Sequence, residues 1–153
     1  MIKKIERIKL KTGFVNLMLG ISQSDIDLEK ISAVFLIGIK SEMILAVRNE
    51  RGWDIPGGHI ESKDVDLYSA LKREVYEEAG ATLKSAKPFA LMHFGGEDKS
   101  MLFYVSDNFD LSDDFVAKED AFERKMMSIP EFLKKYNWEK KVIEKIIEFA
   151  FKN

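Results

Sequence analysis

The chain uses two hydrophobic periods, and the switch between them marks its organisation. Phe14–Ile21 is dense in apolar residues and reads as a strand, and Ile31–Ile39 (ISAVFLIGI) is rich in β-branched and aromatic side chains. Lys40-Ser41-Glu42 separates that run from Met43–Arg48, so the pair reads as a hairpin. Polar Gln23–Lys30 is turn-like, and Asn49–Gly58, holding Gly52, Pro56, Gly57 and Gly58, reads as a loop. From about Asp66 to Ala79 the period lengthens. Leu67, Leu71, Val75 and Ala79 recur every fourth residue with Ala70 beside them, the single apolar stripe of a helix. Asp64 or Asp66 can cap its start, and Gly80 stands where a left-handed C′ residue belongs.

Short periods return after that. Pro88–Phe94 and Met101–Ser106 read as strands around the turn Gly95-Gly96-Glu97-Asp98. Residues 107–120 are acidic and irregular, and Phe122–Met127 reads as a further strand. Ser128-Ile129-Pro130-Glu131 has the capping-box spacing of a helix start. Asn137 can cap a second helical segment whose stripe is Val142, Ile143, Ile146, Ile147, Phe149 and Ala150. Strands, a helix, more strands and a terminal helix predict an α/β (α+β) fold. Its mixed sheet is flanked by helices and is not a regular βαβ repeat.

Composition narrows the chemistry. At 153 residues with 46% hydrophobic side chains, the chain is sized for one domain with its own core. The absence of cysteine excludes disulfides and cysteine-ligated zinc or iron–sulfur sites, and it fits the cytoplasm. The longest apolar stretches, Phe14–Ile21 and Ile31–Ile39, fall far short of the ~20 residues of a membrane span. Residues 1–22 superficially resemble a signal peptide, but Asn16 and Gly20 interrupt the apolar part and no small-residue cleavage site follows. The net charge of −2 is unevenly spread: residues 1–11 carry +4, residues 131–153 carry +2, and the middle carries −8. Solvated ends explain the basic termini better than a nucleic-acid footprint, since no long basic run is present. An acidic centre suits recruitment of divalent cations.

Those acids are concentrated in one place. Glu74, Glu77 and Glu78 are spaced i, i+3, i+4, which puts three carboxylates on one helix patch. Arg73, one turn before Glu77, offsets only part of their repulsion. A cation would offset the rest, and an all-oxygen ligand set points to Mg²⁺, with Mn²⁺ as the alternative. A glutamate triad alone is usually a solvated face. The preceding Pro56-Gly57-Gly58 changes the weighing, because glycines let backbone approach a ligand closely and can present a carbonyl as another hard ligand.

The stretch Gly57–Ala81 closely resembles the Nudix box, G-x5-E-x7-R-E-U-x-E-E-x-G-U, where U is bulky and aliphatic. Arg73-Glu74-Val75-Tyr76-Glu77-Glu78-Ala79-Gly80 matches the second half, and Ala81 is smaller than usual at the last position. Trp53-Asp54-Ile55-Pro56-Gly57-Gly58 is similar to the W-x-x-P-G-G approach common in that family. The match is dense over residues 53–81 and looser over 31–133. One domain over 1–153 is therefore expected, with an extra N-terminal segment (1–30) and a C-terminal helix (131–152). The first half of the box departs from the pattern: one residue more than expected lies between Gly58 and Arg73. The box glutamate position therefore falls on Asp64 counted forward and on Val65 counted back. Asp64 or Asp66 is expected to take over the pairing with Arg73 that the family glutamate makes.

The resemblance implies a Nudix-like α/β/α fold and a Mg²⁺-dependent hydrolase of a nucleoside diphosphate linked to another moiety. Carried over by position, Glu77 and Glu78 are the principal metal ligands, with the Gly57 carbonyl and Glu74 as further ones. Glu74 is alternatively the base that orients water. Glu123 is the first candidate for an acid from beyond the box, although Met126 replaces the tryptophan of the matching family segment; Glu97 and Asp98 are the alternatives. Arg48 and Arg51, just before the Gly58 turn, can meet phosphate charge, with ordinary surface arginines as the competing reading. His59 reads as a loop residue and His93 as a structural histidine. Trp53, Phe94, Phe103 and Tyr104 read first as packing, and the last three as a base platform only second. The expected partner is a small nucleotide-type diphosphate, not a membrane or a nucleic acid, with a homodimer left open. The competing reading is a Nudix-fold module that senses a nucleotide or protein without turnover; a capped-RNA or damaged-nucleotide hydrolase differs only in substrate.

Overall fold

The computed structural model describes residues 2–116 and 121–152. Nine strands run β1 (Lys4–Lys9), β2 (Phe14–Leu19), β3 (Ile31–Lys40), β4 (Met43–Asn49), β5 (Gly52–Asp54), β6 (Gly57–His59), β7 (Ala81–Phe94), β8 (Ser100–Leu111) and β9 (Glu123–Ser128). Three α-helices, α1 (Leu67–Ala79), α2 (Ile129–Lys135) and α3 (Lys140–Lys152), accompany them, with two 3-10 turns in residues 23–30. The sheet order is β1-β2-β7-β8-β3-β4-β5, with β6 on β3 and β9 on β4. Among the pairings of these nine strands, β3 with β8 is parallel and the others are antiparallel.

Period-two alternation divides the core between the two faces of the sheet. Val34 and Leu36 of β3, Leu45 and Val47 of β4, and Leu102 and Tyr104 of β8 pack with Leu67, Leu71 and Val75 of α1. The intervening Ile37, Ile44, Ala46 and Phe103 pack with Phe132 of α2 and Val142, Ile143 and Ile146 of α3, and Phe35 lies against that cluster. The result is the helix–sheet–helix layering and mixed sheet expected from the sequence. No helix among the described residues is long and apolar enough to cross a membrane.

Several local expectations hold and others need correction. Asp66 caps α1 by accepting from Ser69 N (2.7 Å), and Gly80 ends the helix at φ 59°. Ser128 caps α2 by accepting from Glu131 N, while the Glu131 carboxylate pairs with Lys125 and Lys135. Asn137 does not cap α3: its amide donates to Arg51 O (2.7 Å), and the helix begins only at Lys140. The expected loop 49–58 contains β5 and β6, which are short edge pairings on β4 and β3. Residues 107–111 are not irregular but continue β8, because β7 starts at Ala81 and pairs with them as far as Leu111. Residues 117–120 of that stretch lie outside the described residues. Basic Lys4–Lys9, unassigned by pattern, is a strand on the edge of the sheet beside β2.

Candidate active site

The Gly-Gly turn and α1 are built onto each other. Gly57 and Gly58 pair with Phe35 and Val34 in the middle of β3, and Leu36 N donates to Pro56 O (2.9 Å). A Cβ on Gly57 would stand 2.3 Å from Val34 O, so only glycine lets the turn lie so close to β3. Gly57 N donates to Glu78 Oε1 (2.7 Å), which ties the last turn of α1 to the Gly-Gly segment. A Cβ on Gly58 would lie 2.7 Å from the Glu74 carboxyl group, so this glycine makes room for that carboxylate. Gly57, Gly58 and Glu78, with Arg51, Asp54 and His59, line a small cleft of about 120 Å³.

Arg73 organises the remaining acids. Its Nε and Nη2 donate to the two oxygens of Asp64, both at 2.9 Å, in a bidentate fork. Nη1 meets Glu74 Oε1 (2.9 Å), Glu61 Oε2 (3.0 Å) and Glu77 Oε2 (3.3 Å). The alternatives in the first half of the box are thereby resolved: Asp64 faces Arg73, Asp66 caps the helix, and Val65 is 90% exposed. Hydrogen bonding from Arg73 holds the Asp64 carboxyl down at about 2. The Glu74 carboxyl moves the other way, raised by burial against the opposing pull of Arg73.

The other sequence candidates separate. Arg51 lines the cleft, whereas Arg48 and Glu123 face each other across the β4–β9 pairing in an ion pair at 3.0 Å, and neither is among the cleft-lining residues. His93 Nε2 lies 2.5 Å from Glu97 O, holding the β7–β8 turn. Tyr104 is core on the α1 side, away from the cleft. Among the described residues no three His, Asp or Glu side chains converge as a preformed metal cage. The donor chemistry nevertheless fits a hard cation: carboxylates and a backbone carbonyl, with Glu74 and Glu77 held by a guanidinium that a cation would replace.

The feature that sequence reading missed is a chamber beside the cleft. A cavity of about 560 Å³ lies between the sheet and α3, walled by Trp53, Phe94, Phe103, Trp138 and Ile146 among others. Phe35, Asn49, Arg51, Asp54, Ile55 and Met101 line both cavities and so form the boundary, or neck, between them. Phe35 and Phe103 stack at 5.4 Å on its wall, and Phe94 meets Trp138 edge-on at 5.9 Å. Asp54 in the neck is pushed up to about 6 by burial, opposed by the Ile55 amide and by the charge of Arg51. Its position as an x residue of W-x-x-P-G-G gives no sign of this, since the wall comes from remote strands and α3.

The NUDIX domain family model matches residues 29–146. The chain superposes on a mutant of the Bacillus subtilis pyrophosphohydrolase BsRppH with a TM-score of 0.63 and 19% identity, covering 90% of this chain and 89% of that one. A NUDIX hydrolase from Nitrosomonas europaea gives 0.62 and 20%, over 80% and 89%. The NUDIX domain of Shewanella oneidensis NrtR, solved with ADP ribose, gives 0.59 and 13%, over 86% and 92%. No curated protein matches the sequence. These structures share the fold, and the family model spans the Gly-Gly turn, α1 and the chamber walls from β3 to α3: the chain belongs to the NUDIX domain family.

Proposed function

We propose that the chain is a Mg²⁺-dependent hydrolase, with Mn²⁺ as the alternative metal, acting on a nucleoside diphosphate linked to another moiety. The observation that carries this reading is the pair of adjoining cavities. A cleft lined by Glu78 and the Gly-Gly turn shares six lining residues with an aromatic chamber large enough for a nucleoside, which supports one ligand reaching into both. The relatives named above support the substrate class: one is a pyrophosphohydrolase and another holds ADP ribose.

Glu77, Glu78, Glu74 and the Gly57 carbonyl would hold the metal, which supplies charge neutralisation for the diphosphate and activation of water. The rest falls to the chain itself. Gly58 leaves the Glu74 carboxylate space beside the turn, and burial already raises its proton affinity, as a water-orienting base requires. Arg51 brings positive charge to the neck for the phosphates. Glu123 remains the fourth acid suggested by sequence context, and recruiting it would mean breaking its pair with Arg48, which would in turn free that arginine for phosphate. On this reading residues 1–153 act as a single Nudix-type domain.

The test is a panel of nucleoside diphosphate derivatives assayed with Mg²⁺, using wild type and Glu78→Gln. Wild type should cleave at least one member, and Glu78→Gln should lose about 10²-fold or more in kcat while keeping its circular dichroism spectrum. Binding by wild type with no cleavage would instead favour the sensing module. Full activity in Glu78→Gln would overturn the residue assignment.

A further inference from the structure

The chamber that the proposed function assigns to a nucleoside is largely apolar, so orientation and choice of base must come from its few polar groups. Most of these are already committed or serve another part of the ligand. The Asn137 amide donates to Arg51 O, and Arg51 sits towards the phosphate cleft. The Tyr136 side chain has its proton affinity raised chiefly by burial and further by the nearby Asp54 charge. Asp54 is the carboxylate among the residues shared by both cavities, and it lines the same chamber as Trp53, Phe94 and Phe103.

The geometry points to Asp54 as a specificity-determining residue that selects a base edge carrying two adjacent N–H donors, which among the common bases is guanine. Asp54 Oδ1 accepts from Ile55 N at 2.7 Å, which fixes the carboxyl group against its own turn. An ionised carboxylate is acceptor-only, with capacity left on both oxygens after that bond. Guanine offers the ring N1–H and the exocyclic N2 amine side by side, a donor–donor edge that a carboxylate can accept as a pair. Adenine and cytosine offer one amino group beside a ring acceptor. Uracil sets a single N–H between two carbonyl oxygens that would repel the carboxylate. Burial pushes the Asp54 carboxyl up to about 6, so at neutral pH it is still mostly ionised and accepts without donating. A buried acceptor also penalises the wrong base, since a ligand that displaces water without supplying donors leaves it unpaired.

This inference rests on the nucleotide reading of the chamber, and its test needs no turnover. Binding of GMP, IMP, AMP and UMP would be measured by calorimetry in EDTA, with wild type, Asp54→Asn and Asp54→Ala. IMP matters most, because it lacks only the exocyclic amine. Wild type should bind GMP about tenfold tighter than IMP and more weakly still UMP, the margin of one lost charge-assisted bond. Asp54→Asn, which replaces one acceptor by a donor, should bring GMP and IMP to within about threefold. With a diphosphate substrate, the guanine preference lost in Asp54→Asn should appear in KM, with kcat little changed. Equal affinity of wild type for the four ligands, or a GMP preference that survives in both variants, would overturn the assignment. So would failure of all four to bind. Because hydrolysis dependent on Glu78 is measured separately, base selectivity can fail while the hydrolase stands, and the converse holds.

Discussion

The Asp64–Arg73 fork gives the most quantitative expectation. The Arg73 side chain is 14% exposed and that of Asp64 only 4%, and two bonds of 2.9 Å join them. The carboxyl falls from an ordinary 3.8 to about 2, chiefly through Arg73, which converts to about 2.4 kcal/mol of folding stability as an upper bound. Solvent screening at a pair beside the protein surface reduces this to about 1–2 kcal/mol. Asp64→Asn should cost that amount and not the 3–5 kcal/mol typical of orphaned buried charges, because Arg73 keeps Glu61, Glu74 and Glu77. The sign fixes the pH window. The folded value lies below the unfolded one, so the stabilisation is fully present above about pH 4, and it is lost as pH falls through 2; about half is left at pH 3. Urea unfolding in EDTA, followed by the fluorescence of Trp53 and Trp138, would read the change as a shift in midpoint at constant m. Val65→Ser, at the exposed residue next to Asp64, should stay within about 0.5 kcal/mol of wild type. Three results would refute this: Asp64→Asn as stable as wild type at pH 7, a deficit equal at pH 7 and pH 3, or an equally costly Val65→Ser.

Two further expectations come from the turn. Gly58→Ala would place a methyl group 2.7 Å from the Glu74 carboxyl, the far end of a flexible side chain, so stability should change by less than about 1 kcal/mol. Mn²⁺ affinity by calorimetry should fall about tenfold or more, and an unchanged affinity would remove Glu74 from the ligand set. The Asp54 carboxyl shifts from 3.8 up to about 6, so the folded state holds its proton more tightly than the unfolded chain does, and stability falls as pH rises from about 4 through 6. Asp54→Asn should therefore be about 1–3 kcal/mol more stable than wild type at pH 8 and gain nothing at pH 4; equal gains by scanning calorimetry at both pH values would contradict the burial of this carboxyl.

The site divides into a part written in short-range spacing and a part written in topology. Glu74, Glu77 and Glu78 share a helix face whatever the rest of the chain does, and Gly57-Gly58 stands close before them, so their neighbourhood was legible from the sequence, although of the three only Glu78 lines the cleft. Even the irregular first half of the box could be narrowed to Asp64, Val65 and Asp66 before the structure assigned each its place. The strand ends were harder. Lys84, Lys87, Asp107 and Asp110 look like loop residues, and three register shifts between Leu83 and Ala90 break the alternation; yet Ala81, Leu83 and Phe109 still point inward and keep β7 and β8 paired. The chamber had little local signature: Phe94 and Phe103, which wall it, read as a base platform only second to packing. Phe35 and Phe103 meet because β3 and β8 pair in parallel, a long-range event, and Asp54 acquires its elevated proton affinity only through burial in the folded chain. A carboxylate on a half-buried edge strand is costly for folding, and this one lines two adjoining cavities. That placement is what the proposed selection of a base by Asp54 rests on.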